Sequence, residues 1–90
     1  MLHFRSLDVY RSALALVPKT YSIAEHCDRE LANHLRRLAR TVVTGLADES
    51  ISEARSSALQ CAALLDVVRA LDVVMVDDAD ALLSRILAAL

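Results

Sequence analysis

Apolar residues recur at three- and four-residue steps along almost the whole chain, which is the period of an amphipathic helix. The first such segment runs from about Ser6 to Glu25. Tyr10, Ala13, Leu14, Val17, Tyr21 and Ala24 share one face and are expected to meet a bundle core. A second apolar line, Val9, Leu16 and Ile23, lies seven residues apart and roughly 100° around the helix. One stripe satisfies a core, so the second needs another partner, and a second copy of the chain is expected there. Pro18 lacks an N–H donor, so it is expected to kink this segment or split it.

Asp28 is placed to cap a second helix, from about Arg29 to Ala47. Leu31, Leu35, Leu38, Val42 and Leu46 form its apolar stripe, with Arg29, Arg36 and Arg40 nearly opposite and Arg37 beside them. Gly45 either allows a close backbone approach or marks the beginning of the helix end. Ser50 and Glu53 have the spacing of a capping box and open a third helix, Ile51 to about Val74. Ile51, Ala54, Ala58, Cys61, Ala62 and Leu65 lie along one side of it, and Leu64, Val67, Val68, Leu71 and Val74 spread to the other. A helix apolar around so much of its circumference is buried on more than one face. In a chain this short, the extra face, with Leu64, Val67 and Leu71, is expected to be a subunit interface together with Val9, Leu16 and Ile23. The run Val73, Val74, Val76 is too short and isolated to read as a strand. Asp77 or Asp78 is expected to cap a short fourth helix whose buried side is Leu82, Leu83, Ile86, Leu87 and Leu90. No internal repeat is visible. Short connections make sequential helices antiparallel neighbours, so the expected fold is all-α, an up-down-up-down four-helix bundle in one domain.

Composition sharpens this reading. Leu and Ala supply 31 of the 90 residues and aromatics only 3%, a mix that favours helix over strand. An apolar fraction of 56% excludes disorder. The net charge of −2 argues against a generally basic nucleic-acid binder, but the total hides an asymmetry. Residues 1–45 carry seven basic against four acidic side chains, and residues 46–90 carry three against eight. Cys27 and Cys61 are too few for a disulfide scaffold, charges appear too early for a secretory segment, and no charge-free run spans a bilayer. A cytoplasmic protein is the expectation.

The order of these features resembles a known family. Phe4-x-x-Leu7-Asp8-Val9-Tyr10 is followed by Leu16-Val17 and Tyr21, then Leu35-Arg36-Arg37-Leu38-Ala39, Thr41-Val42 and Gly45-Leu46-Ala47-Asp48-Glu49. Small residues, Ser56, Ser57 and Ala58, sit in the third helix. This resembles the bacterial four-helix-bundle family of 23S rRNA intervening-sequence proteins, which is related to the accessory variability determinant of diversity-generating retroelements. His34 stands where the family has Gln, and the segment around Gly45 lacks the family's Asn and final Gly. The resemblance implies a homo-oligomeric ring, commonly a pentamer. For the retroelement branch it implies a basic surface for RNA or DNA and a reverse-transcriptase partner.

The arginines are the main candidate chemistry. Arg29, Arg36, Arg37 and Arg40 present planar forks suited to phosphate along one face, and an oligomer would multiply them. The competing reading is a solvated face, or ion pairs with Asp66, Asp72 or Asp77 of a neighbouring copy. No aromatic interleaves the stripe, so base stacking is not indicated. Asp77, Asp78 and Asp80 lack the Gly and distal Glu of a calcium loop and are better explained by capping. Glu30 and His34 are four apart, not the Glu-x-x-His spacing of di-iron bundles, so no metal site is assigned. His26 and Cys27 are adjacent and therefore point about 100° apart on a helix, which argues against a thiol–imidazole pair. Cys61 reads as a small core residue. The single glycine removes the usual phosphate loops. No catalytic residues and no cofactor are assigned. Two functions remain: an accessory protein bound to nucleic acid and a reverse transcriptase through the arginine face, or an adaptor oligomer that binds only proteins.

Overall fold

The computed structural model describes residues 7–90. Phe4, which opens the family resemblance, and Ser6, where the first helix was expected to start, lie outside the described residues. The described chain forms four helices: α1 (Asp8–Ala24), α2 (Arg29–Ala47), α3 (Ile51–Leu71) and α4 (Asp77–Ala89). No strand occurs among the described residues. Each helix packs on two others in a closed cycle: α1 on α2 and α4, α2 on α3, and α3 on α4. One contiguous hydrophobic cluster draws on all four.

The helix ends follow local chemistry, and two differ from expectation. Asp28 caps α2, its carboxylate accepting from the Glu30 and Leu31 N–H groups at 3.1 and 3.3 Å. Ser50 makes no side-chain cap to α3. Its backbone N–H donates instead to the Gly45 carbonyl at 2.8 Å, which ties the α2–α3 turn. Val76, not Asp77 or Asp78, occupies the N-cap of α4, and the aspartates fall in the first turn, where negative charge suits the helix dipole. α3 stops at Leu71, short of Val74, because Asp72 takes the left-handed conformation (φ 56°, ψ 41°) and its N–H closes onto the Val68 and Arg69 carbonyls.

α1 runs unbroken through Pro18. The buried Thr20 hydroxyl is satisfied just beyond it, donating to the Leu16 and Val17 carbonyls at 3.1 and 2.8 Å.

The core of α1 takes residues from both stripes: Ala13 and Ala24 of the first line are buried as expected, and the second line is buried with them. Leu16 is fully buried and Ile23 is 5% exposed, and Val9 packs partly buried against the same cluster. Leu16 and Ile23 are therefore core residues of the chain itself and not an interface between copies, while Val9 stays half-buried at the edge. The line assigned to the core faces outward in part: Leu14 is 46% exposed, and Tyr10, Val17 and Tyr21 are half-buried. The physical reason is that tyrosine hydroxyls keep a polar partner most easily at a helix edge, and Pro18 is exposed on that side, away from the core. In α2 the expected stripe is buried from Leu35 to Leu46, with Leu31 half-buried. In α3, Ile51 is exposed and Val68 is fully buried, the reverse of the sides expected for them.

Candidate protein and nucleic-acid interaction surfaces

The arginine stripe divides. Arg36 and Arg40 turn toward α1 and converge on Tyr21. The Arg36 guanidinium sits 5.5 Å from the ring centroid, a cation–π distance. The Arg40 Nη1 donates to the Tyr21 hydroxyl at 2.6 Å. Arg36 also donates to the Asn33 side-chain oxygen at 3.3 Å. Tyr21 is the residue that the sequence reading missed in this role. The spacing within α2 carries no signal for it, since Tyr21 belongs to α1 and only the packing of the two helices brings it to the guanidinium groups. Arg37 points elsewhere, into a groove of about 530 Å³ between α2 and α3. Arg29 is exposed in the first turn of α2. None of the four has a carboxylate within 4.0 Å among the described residues.

The α2–α3 groove joins both sets of candidates. Leu64, Val67 and Leu71 line it with Leu31, His34 and Arg37, and Asp28 and Glu30 stand at its rim. Val67 is 45% exposed and Leu71 is 55% exposed. With Leu59, also half-exposed, they put large apolar side chains on the outer side of α3, beside Gln60, which donates to the Ser56 hydroxyl at 3.2 Å, while Ala54, Ala58, Cys61, Leu65 and Val68 fill the core from its inner side. Small residues run down the middle of the outer side: Ser56, Ala63 and Ala70 are seven apart and all exposed.

The acidic half is partly committed within the chain. Arg69 gathers Asp66 (3.5 Å), Asp77 (3.2 Å) and Asp80 (3.4 Å), which joins α3 to the start of α4. The hydrogen bonds it donates to Asp77 and Asp80 push its pKa further up. The Asp66–Arg69 spacing of i, i+3 was the readable signal for this cluster. Lys19 reaches Asp78 at 3.9 Å across α1 and α4. Asp66 and Asp77, named as acids for a neighbouring copy's arginines, thus already have a cation beside them.

The thiols sit apart from these surfaces. Cys27 donates to the Ile23 carbonyl at 3.5 Å, and burial followed by the Asp28 charge raises its pKa. Cys61 is fully buried, and burial pushes its pKa from 9.0 to about 12. A thiol that ionises less readily folded than unfolded stabilises the fold below pH 9 and loses that contribution as pH rises toward 12. Stability should therefore fall above pH 9 by up to about 1.4 kcal/mol per pH unit from this group. Urea unfolding at pH 8 and pH 10 checks this: Cys61→Ala should flatten the alkaline slope, and an unchanged slope would refute the assignment. Among the described residues, no three His, Cys, Asp or Glu side chains converge as metal ligands, and no helix is long and apolar enough to cross a membrane. Compared with models of protein families, with curated proteins and with solved structures, the chain matches none.

Proposed function

We propose that this chain is a non-enzymatic accessory module that works by associating with copies of itself and with other proteins. One observation carries the reading: α3 fills the core with one side and leaves Leu59, Val67 and Leu71 half in water on the other. Apolar surface of this kind on a small helical protein gains about 25 cal/mol for each Å² removed from water by a partner. The helices in this reading run up-down-up-down and antiparallel. The connections of a few residues support it. The family resemblance extends the reading to a bacterial cytoplasmic ring, with five subunits as its number.

A nucleic-acid role is the second reading. Arg29, Arg36, Arg37 and Arg40 lack carboxylate partners among the described residues, which leaves their charge open to phosphate. Against it, Arg36 and Arg40 are engaged with Tyr21, so a functional test should spare them.

The experiment is light-scattering mass with and without a mixed RNA and DNA pool, at low and high salt, for the wild type and for Arg29→Gln/Arg37→Gln. The protein-only reading expects a multimer whose mass ignores nucleic acid and the double substitution. Mass gained with nucleic acid at low salt, shed at high salt and lost in the double variant would establish the second reading instead. A wild type that stays at 9.8 kDa would overturn self-association.

A further inference from the structure

We propose that the α2–α3 groove docks onto the same groove of a second copy about a twofold axis, with Glu30 of each copy meeting Arg37 of the other. The inference rests on the self-association reading above and names the face that docks and the direction in which it docks. The groove has an acidic end and a basic end. Glu30 stands at one and Arg37 at the other, both exposed, with His34 between them. Seven residues apart, they share one line of α2 and lie about 10 Å from each other along its axis. Among the described residues, no cation lies within 4.0 Å of Glu30 and no carboxylate within 4.0 Å of Arg37. Between the two ends the floor is apolar: Leu64 is half-buried, and Val67 and Leu71 are half-exposed.

The other charges nearby are already committed. Asp28, beside Glu30, uses its carboxylate to cap α2. Arg36 and Arg40 turn away to Tyr21. Asp66 is paired with Arg69, and neither lines the groove. A partner that fits must therefore supply a base over Glu30 and an acid over Arg37, about 10 Å apart, with apolar side chains between. That description is the groove itself, turned by 180° about an axis normal to it near His34. Each contact is then made twice, as in any isologous pair. Docking in the parallel sense would set Glu30 against Glu30 and Arg37 against Arg37, and like-charge juxtaposition disfavours it. The pairing closes at two copies, so it makes a dimer, and a ring would need a further surface.

Charge reversal tests it. Glu30→Arg places arginine opposite Arg37 twice, and Arg37→Glu places carboxylate opposite Glu30 twice. By light scattering the wild type should have twice the mass of the 9.8 kDa chain, and each reversal alone should fall to 9.8 kDa. An equimolar mixture of the two should regain the dimer, because one copy then offers only arginines and the other only glutamates. A chain carrying both reversals should pair with itself as the wild type does. Arg37→Gln removes an attraction without adding a repulsion, so it should loosen the dimer on the order of tenfold and leave its mass unchanged at high loading concentration. Both positions are exposed, so circular dichroism should show wild-type helix in every variant. If one reversal does unfold, the chain carrying both still reads out the pairing. A wild-type multimer that neither reversal reduces would overturn this pairing while sparing self-association, and so would single reversals that stay monomeric when mixed. A wild type that is monomeric throughout would overturn the reading beneath it.

Discussion

Leu16→Glu should abolish cooperative folding, whereas Leu14→Glu, two residues earlier on the same helix, should leave a folded helical chain. Leu16 is fully buried in the cluster shared by all four helices, and no cation is paired to that position. The substitution removes a buried leucine, a change on the order of 2–5 kcal/mol for truncation alone. It also buries a carboxylate without a partner, which costs several kcal/mol more or forces the group to stay protonated. A domain of this size is held by roughly 0.05–0.15 kcal/mol per residue, so the loss approaches the whole stability. Leu14 is 46% exposed, and a glutamate there keeps its charge in water. Its cost to the isolated fold should stay within about 1 kcal/mol. Urea titration followed by far-ultraviolet circular dichroism separates the two outcomes. A wild-type midpoint for Leu16→Glu would show that Val9, Leu16 and Ile23 face outward after all.

That contrast also marks where the sequence stops being readable. α2 was legible because its leucines and arginines separate cleanly onto two faces, and because Asp28 begins it with a carboxylate that needs only two nearby N–H groups. α1 offered two apolar lines about 100° apart, and periodicity does not rank them. What ranks them is which line can bury without stranding polar atoms. Leu16 and Ile23 carry none, while Tyr10 and Tyr21 carry hydroxyls and sit half-buried, Tyr21 bonded to Arg40. That information depends on the neighbouring helix, which a single segment does not contain. The surroundings of the arginine stripe were hidden in the same way. Spacing put four guanidinium groups on one helix, but only the packing of α1 on α2 shows that two of them hold a tyrosine and a third lines a groove. The capping box at Ser50 failed for a local reason, since the tight turn spends the Ser50 backbone N–H on the Gly45 carbonyl and leaves its side chain without a cap bond. The surplus apolar side of α3 was visible early, because no arrangement of one bundle can bury Val67 and Leu71 together with Ala54, Cys61 and Leu65, whereas Leu59 was not singled out.

Gly45→Val should be the most damaging change that adds no charge. Two readings of Gly45 were open, and both hold in part: it lies in the last turn of α2, which ends at Ala47, and it is also where α3 comes close. Its backbone is ordinary helix, with no positive φ. The requirement is space. A Cβ at position 45 would lie 3.0 Å from the Ala54 backbone nitrogen and 3.1 Å from its Cα and Cβ, across the contact between α2 and α3. The obstacle is backbone, and it is tied down. Ala54 N–H donates to the Ser50 carbonyl at 3.0 Å, and Ser50 N–H donates to Gly45 itself at 2.8 Å. Alanine would need a shift of a few tenths of an ångström, while recovering about 1 kcal/mol of helix propensity. Its net effect should therefore be small, within about 1 kcal/mol of the wild type. Valine adds two methyl groups to a Cβ that already has no room, and its branched side chain has one strongly preferred rotamer in a helix. Relief then requires moving α3 away from α2 at the turn, which opens the core around Leu46 and Ala58 as well. Overpacking of this kind costs about 3 kcal/mol. Urea midpoints for the pair measure it: a large loss for valine beside a near-neutral alanine is the expected pattern. Equal midpoints for valine and wild type would mean that the two helices do not approach at Gly45 as closely as 3 Å. Ala54→Gly in the valine background should recover only part of the loss, since it removes the Cβ contact and leaves the backbone nitrogen and Cα where they are.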